Sequence, residues 1–268
     1  MYDAVLDSVN LGHGGAFFVH SAGGCGKTYV IAAAVHSQRK IVLCVASSGI
    51  ASLLLAGGCT AHFHFKIPIP INEASTCNIK KGDPWYELLC CTALIIWDEV
   101  PMQHRYVIEC VDCSLWDLLN SDEPFGGIAI LFGGDFRQTL PVIPHGSREQ
   151  IVGATFCRSH LWQNVQVFHL QTNMHLGQDV VSDEWANHLL QLGTGQNLDA
   201  ESQVDLPEYF HCQNNTVQDL IHALYDAILD HTHVEALPDN YFLDRTILAA
   251  RNVEVDEINS AASANQGW

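Results

Sequence analysis

The sequence predicts an α/β fold built on a doubly wound parallel sheet. Three observations carry this. Short runs rich in β-branched and aromatic residues alternate with helical patterns along the chain. The runs are continuously apolar, as in strands covered on both faces. One of them leads straight into a glycine-rich turn that opens a helix, the strand–turn–helix order of doubly wound sheets.

The elements follow in order. "AFFVH" (16–20) reads as a strand and "KTYVIAAAVHSQ" (27–38) as a helix. "IVLCVA" (41–46) is a strand and "SGIASLLLAG" (48–57) a helix. "ALIIW" (93–97) is a strand, followed by a long helix over about 104–119. "IAILFG" (128–133) and "VQVFHL" (165–170) are further strands. After residue 175 the texture changes to the amphipathic helical patterns "SDEWANHLLQLGTG" and "TVQDLIHALYDAIL", separated by a polar stretch containing Pro207. "RTILAA" then reads as a strand and "NVEVDEINSAASAN" as a helix, the start of a second α/β unit. A lone strand with one helix cannot bury both faces, so that unit reads as unfinished. The expected division is a first domain over 1–172 and linker helices with an incomplete second domain over 173–268.

Composition sets limits. The chain has 268 residues, 48% hydrophobic and 16% charged, as expected of a globular protein with a substantial core. Twelve basic against thirty acidic residues give a net charge of -18. That excludes a protein that grips nucleic acid by bulk charge and leaves room only for a local groove. No apolar run approaches the roughly 20 residues of a membrane span, and the start shows no secretory pattern. The ten cysteines follow no framework and read as reduced thiols. Cys110 and Cys113 form a C-x-x-C within an amphipathic helix, without the second Cys/His pair that zinc would require. The pairs His62/His64 and His231/His233 have nothing beside them to complete a metal site.

The chemistry concentrates in three segments. "FFVHSAGGCGKTYV" ends in Gly26-Lys27-Thr28, the tail of a phosphate-binding P-loop, with Ser21 where the pattern has its first glycine. Ala22, Gly23, Gly24, Cys25 and Gly26 would turn backbone N–H groups around an anion at a helix N-terminus. Lys27 would reach the outer phosphates of ATP, and the Thr28 hydroxyl would ligate Mg²⁺. "ALIIWDEVPM" ends a strand in Asp98-Glu99, where a second Mg²⁺ partner must stand. Asp98 would hold the metal, and Glu99 would take a proton from the attacking water. "ILFGGDFRQTLPVIP" carries Gln138, a candidate γ-phosphate sensor. Arg137 would pair with Asp135 or with another acidic residue near the site. Lys27, Glu99, Gln138 and Arg137 make up the candidate catalytic set.

These segments, with "VASSGIASLLLAGGCTAHFHFKIPI", "LQTNMH" and "RTILAARNVEVDEIN", resemble the Pif family of superfamily-one DNA helicases, in particular the forms carried by Helitron transposons. The likeness runs nearly end to end. It implies RecA-like P-loop domains and an ATP-driven motor moving five-prime to three-prime on single-stranded DNA. Ser47, Ser48 and Gly49 then fall in one DNA-contacting segment, and Thr60, His62 and Phe65 in the next. Hydroxyls can bond phosphates and an aromatic can stack on a base. Read without the resemblance, "TAHFHF" is a partly buried strand. The resemblance also implies a monomer in the nucleus and roles in DNA repair, recombination and telomere maintenance.

The chain departs from the family at several points. Ser21 replaces the first loop glycine, and His175 in "TNMH" replaces an arginine expected to reach the γ-phosphate. The adenine-reading glutamine has no counterpart ahead of Met1-Tyr2-Asp3, and the last two family motifs lie beyond Trp268. The expectation is a truncated copy. A rival reading is a non-enzymatic nucleotide-binding remnant of a transposon helicase. A small-molecule kinase or GTPase is disfavoured, because "NIKKGD" is not the guanine-reading N-K-x-D and no kinase pattern accounts for "GGDFRQ".

Overall fold

The computed structural model describes residues 1–20, 29–170, 180–196, 198–199, 203–204, 206–208, 211–212, 214, 216–229, 245–249 and 251–264. Residues Met1–Gln196 form one compact unit and Asn197–Trp268 a second.

In the first unit, α1 (Tyr2–Leu11) precedes β1 (Gly15–His20), α2 (Tyr29–Ser37) and β2 (Ile41–Ala46). Then come α3 (Gly49–Leu53), a two-residue β3 (Cys59–Thr60), α4 (Ala61–His64), α5 (Pro84–Cys90) and β4 (Thr92–Asp98). The unit continues with α6 (Arg105–Leu119), β5 (Ala129–Gly134), α7 (Arg148–Ala154), β6 (Val165–His169) and α8 (Val180–Thr194). The six strands form one sheet in the order β3-β2-β4-β5-β1-β6, and every adjacent pair is parallel.

Alternation along each strand builds two cores. Phe18, Leu43, Val45, Ile95, Trp97, Ile130 and Phe132 face one side, where α6 packs with Val107, Ile108 and Val111. Phe17, Val19, Val42, Leu94, Ile96 and Leu131 face the other, against Val5 and Val9 of α1 and Ile31 and Val35 of α2. Burial on both faces explains why β1, β2, β4 and β5 read as apolar runs. Helix α1, which the sequence reading passed over, carries Val5 and Val9 on one face and ends at Gly12 in the left-handed conformation (φ 66).

Two expectations for "TAHFHF" are corrected. The segment is not a strand. Only Thr60 extends β3, and the Thr60 hydroxyl then accepts the Phe63 N–H and starts α4. Phe65, expected to stack on a base, is 1% exposed, and its ring stacks on Trp97 at 5.7 Å. The neighbouring Phe63 is 66% exposed. Phe65→Ala should therefore lower stability by about 3–5 kcal/mol in urea unfolding. Phe63→Ala should change it by less than about 0.5 kcal/mol.

In the second unit, α9 (Val217–Leu229) and α10 (Asn252–Ala264) match the expected helices. Thr216 and Asp219 cap α9 reciprocally, the Thr216 hydroxyl accepting the Asp219 N–H while Asp219 accepts the Thr216 N–H. Residues 245–249, within the expected "RTILAA" strand, take no regular secondary structure.

Candidate functional site

Sheet register brings the chemistry to one edge. His20, the last residue of β1, pairs with Gly134 of β5. Trp97 pairs with Phe132, so Asp98 stands level with Gly133, and Ala46 pairs with Asp98 on the other side. With β5 between β1 and β4 and strands about 4.8 Å apart, Asp98 lies about 10 Å across the edge from the end of β1. This is the carboxyl edge of the sheet, where doubly wound folds bind ligands. The chain leaves β1 at His20 and starts α2 at Tyr29. The phosphate-loop residues Ser21, Ala22, Gly23, Gly24, Cys25, Gly26, Lys27 and Thr28 lie outside the described residues, as does His175.

The acidic turn has an unusual backbone. Glu99 takes the left-handed conformation (φ 54, ψ 38) and caps a 3-10 turn at Val100–Met102. For a residue with a Cβ this costs about 1–2 kcal/mol. Buried Val100 and Pro101 follow it, and the Glu99 N–H donates to Asp98 Oδ1 at 3.0 Å. Asp98 and Glu99 are both half-buried. The glycines of "GGDFRQ" exist for this turn. A Cβ on Gly133 would stand 2.8 Å from Asp98 Oδ1, and one on Gly134 (φ +151) would stand 2.2 Å from Pro101 Cδ. Only glycines let β5 approach the acidic turn so closely, a close approach that sequence reasoning did not find.

The turn after β5 is held by a charge pair. Arg137 Nε and Nη2 donate to the two oxygens of Asp135 at 2.8 Å each, and the Arg137 N–H adds a third bond at 3.0 Å. His20 Nε2 lies 3.4 Å from Asp135, which is 5% exposed. Burial raises the Asp135 carboxyl, but the hydrogen bonds and charge of Arg137, with a smaller contribution from His20, outweigh it and hold the group below its ordinary value. Of the two partners left open for Arg137, the structure shows Asp135. Arg137 braces this turn. Gln138 is exposed, and its N–H donates to the Asp135 carbonyl.

Arg137→Ala should leave the buried Asp135 with only the backbone N–H of residue 137 and His20 beside it and cost about 1–3 kcal/mol at pH 7. A folded-state pKa below the unfolded one gives stability that is full above the unfolded value and lost as pH falls through the folded one. The difference between wild type and variant should therefore shrink below about pH 4. Urea denaturation at pH 7 and pH 3 measures both.

The segments expected to touch DNA adjoin this edge. The Ser47 N–H and hydroxyl both donate to the Asp98 carbonyl, at 3.0 and 3.2 Å. The Ser48 hydroxyl accepts the Ala51 N–H and starts α3. Gly49 is exposed. Capping uses a lone pair of Ser48 and Thr60, so each O–H still has a proton to donate. His62 is half-buried, and burial lowers its pKa, so it is neutral at pH 7.

Cys110 is buried and Cys113 exposed, so the C-x-x-C does not converge on one point. Cys110 Sγ instead lies 3.7 Å from Cys77 Sγ. No cluster of three or more metal-ligating residues occurs among the described residues. None of the described helices is long and apolar enough to cross a membrane.

A parallel sheet with an acidic pair and a glycine-rich turn on its carboxyl edge defines an α/β fold of the P-loop NTPase class. The family model for PIF1-like helicases matches residues 1–203. The chain belongs to the PIF1-like helicase family. It is 27% identical over 248 residues to the ATP-dependent DNA helicase Pif1 of Psychrobacter sp. strain PRwf-1, covering 90% of this chain and 34% of that protein. It is 32% identical over 167 residues to the ATP-dependent DNA helicase PIF1 of Danio rerio, covering 60% of this chain and 24% of that protein. The chain thus spans about a third or less of the length of these relatives. The structure of a Bacteroides Pif1 helicase in complex with ADP-AlF3 and single-stranded DNA superposes with a TM-score of 0.68 at 23% identity, covering 99% of this chain and 56% of that one. At that identity the likeness speaks for the fold.

Proposed function

We propose that this chain binds and hydrolyses ATP with Mg²⁺ and couples hydrolysis to five-prime to three-prime movement on single-stranded DNA. The observation that carries the reading is the placement of Asp98 and Glu99, one strand removed from the strand that feeds the phosphate loop. The residues present fit a magnesium ion. Among the described residues no cation pairs with Asp98, and the missing Cβ of Gly133 keeps the space at its carboxylate clear. Mg²⁺ keeps several waters and needs few protein ligands, so Asp98, with the Thr28 hydroxyl, would be enough to hold it. When bound, it would neutralise charge on the phosphate oxygens.

The remaining work belongs to side chains of this chain. Lys27 stabilises charge on the outer phosphates. Glu99 accepts the proton of the attacking water. Gln138, on the turn braced by Arg137 and Asp135, responds to the presence of the γ-phosphate. Ser48 and Thr60 donate hydroxyl hydrogen bonds to DNA phosphates, Ser47, whose hydroxyl donates to the Asp98 carbonyl, holds the turn that presents Ser48, and exposed Phe63, in place of Phe65, offers a face for base stacking. On the family resemblance alone we extend the proposal to a monomer that works in the nucleus, in DNA repair, recombination or telomere maintenance.

Fluorescence anisotropy with a labelled oligothymidylate tests the DNA part. Single strands should bind better than a blunt duplex. The salt dependence should be shallow, because twelve basic residues against thirty acidic ones leave few cations to neutralise phosphates. Equal binding to both substrates, or none to either, would remove single-stranded DNA as the partner.

A further inference from the structure

We infer that Gln103 is a positioning residue that locks the DNA-facing turn at Ser47–Gly49 to the acidic turn of the nucleotide site. The inference rests on the functional reading above. Gln103 is 8% exposed and uncharged, and hydrolysis has no use for it. Its backbone N–H donates to the Val100 carbonyl at 2.9 Å, which fixes the root of the side chain at the end of the 3-10 turn. Its side-chain Nε2 donates to the Ser47 carbonyl at 2.9 Å.

Ser47 is therefore held through both of its backbone groups. Its N–H goes to the Asp98 carbonyl, and its carbonyl receives Gln103. The Ser47 hydroxyl adds a second bond to Asp98. The residue that joins β2 to α3 is tied on two sides to the segment bearing Asp98 and Glu99, and the next residue, Ser48, starts α3. If the acidic turn shifts when nucleotide binds, Ser47 must follow it or lose hydrogen bonds in a half-buried place. Losing them is expensive, because a desolvated carbonyl without a donor forfeits its whole hydration. Two sites that share such a rigid connection bias one another's equilibria, and the coupling is reciprocal.

The test is a linkage measurement on the 268-residue chain. Affinity for labelled oligothymidylate is measured with and without a non-hydrolysable ATP analogue and Mg²⁺, and affinity for the analogue with and without oligothymidylate. Wild type should show a coupling factor of about 5 to 50, equal in the two directions. Gln103→Met keeps length and burial but has no donor. It should hold analogue affinity without DNA within about twofold and lower the coupling factor at least about threefold, the remaining Ser47 bonds to Asp98 carrying the rest. Should Gln103→Met fail to fold, Gln103→Glu, which has the same shape but cannot donate from its carboxylate, carries the same expectation. A merely structural role would lower the melting temperature and leave the coupling factor untouched, and that result overturns the inference. So does a wild-type chain that binds both ligands without coupling. A wild-type chain that binds neither overturns the helicase reading, and the inference falls with it.

Discussion

Lys27→Ala is expected to abolish ATP hydrolysis. Within the phosphate loop "SAGGCGKT", Lys27 is the only side chain whose charge can stand against the outer phosphates. On the proposed reading the loop would otherwise contribute backbone N–H dipoles and hydroxyls, which could hold a phosphate without matching the charge that grows on it during transfer. Removing one such stabilising group from a preorganised site typically slows turnover by about 10²–10³. Nucleotide affinity should fall as well, because the same charge acts on the bound ground state. Phosphate release by the purified variant measures the first effect, and displacement of a fluorescent ATP analogue the second. A variant that still hydrolyses within about threefold of wild type would mean that the lysine matches the motif by coincidence.

Glu99→Gln should separate binding from turnover. The amide has the shape of the carboxylate but cannot take a proton from water, so hydrolysis should drop by about 10²–10⁴. Nucleotide affinity should stay within about threefold, because Asp98 and the phosphate loop are unchanged. The left-handed backbone at Glu99 suits Gln no better and no worse, so the melting temperature should hold. Hydrolysis at the wild-type rate would show that another group serves as the base. Loss of binding together with hydrolysis would assign Glu99 to the nucleotide hold. On the proposed reading the two variants divide the site, Lys27 acting on bound phosphate and Glu99 on the water that attacks it.

Much of this was legible in the sequence, for a physical reason. The strands at 16–20, 41–46, 93–97 and 128–133 were found because a strand buried on both faces must be apolar along its length, which needs no knowledge of its partners, whereas the largely exposed edge strand at 165–170 showed itself by its β-branched and aromatic residues. The acidic pair was found because it ends such a strand. What escaped depends on contacts between distant residues. Phe65 looks like any aromatic until Trp97 is seen beneath it. A helix as short as Ala61–His64 has too little period to declare itself, and alternating histidines and aromatics imitate a strand. The glycines at 133 and 134 read as the end of a strand, whereas their purpose lies with Asp98 and Pro101 on the neighbouring one. The bonds from Ser47 to Asp98 join two motifs that look independent in the sequence and are adjacent strand ends in the fold.

Steady-state ATP hydrolysis by the 268-residue chain, titrated with oligothymidylate, tests the central claim most directly. The claim is that Asp98 and Glu99 serve a motor site answering to single-stranded DNA. The account predicts a slow basal rate that rises saturably with the oligonucleotide and vanishes in Lys27→Ala at every DNA concentration. Hydrolysis that depends on Lys27 yet stays flat across the titration would contradict it, leaving a nucleotide site with no link to DNA.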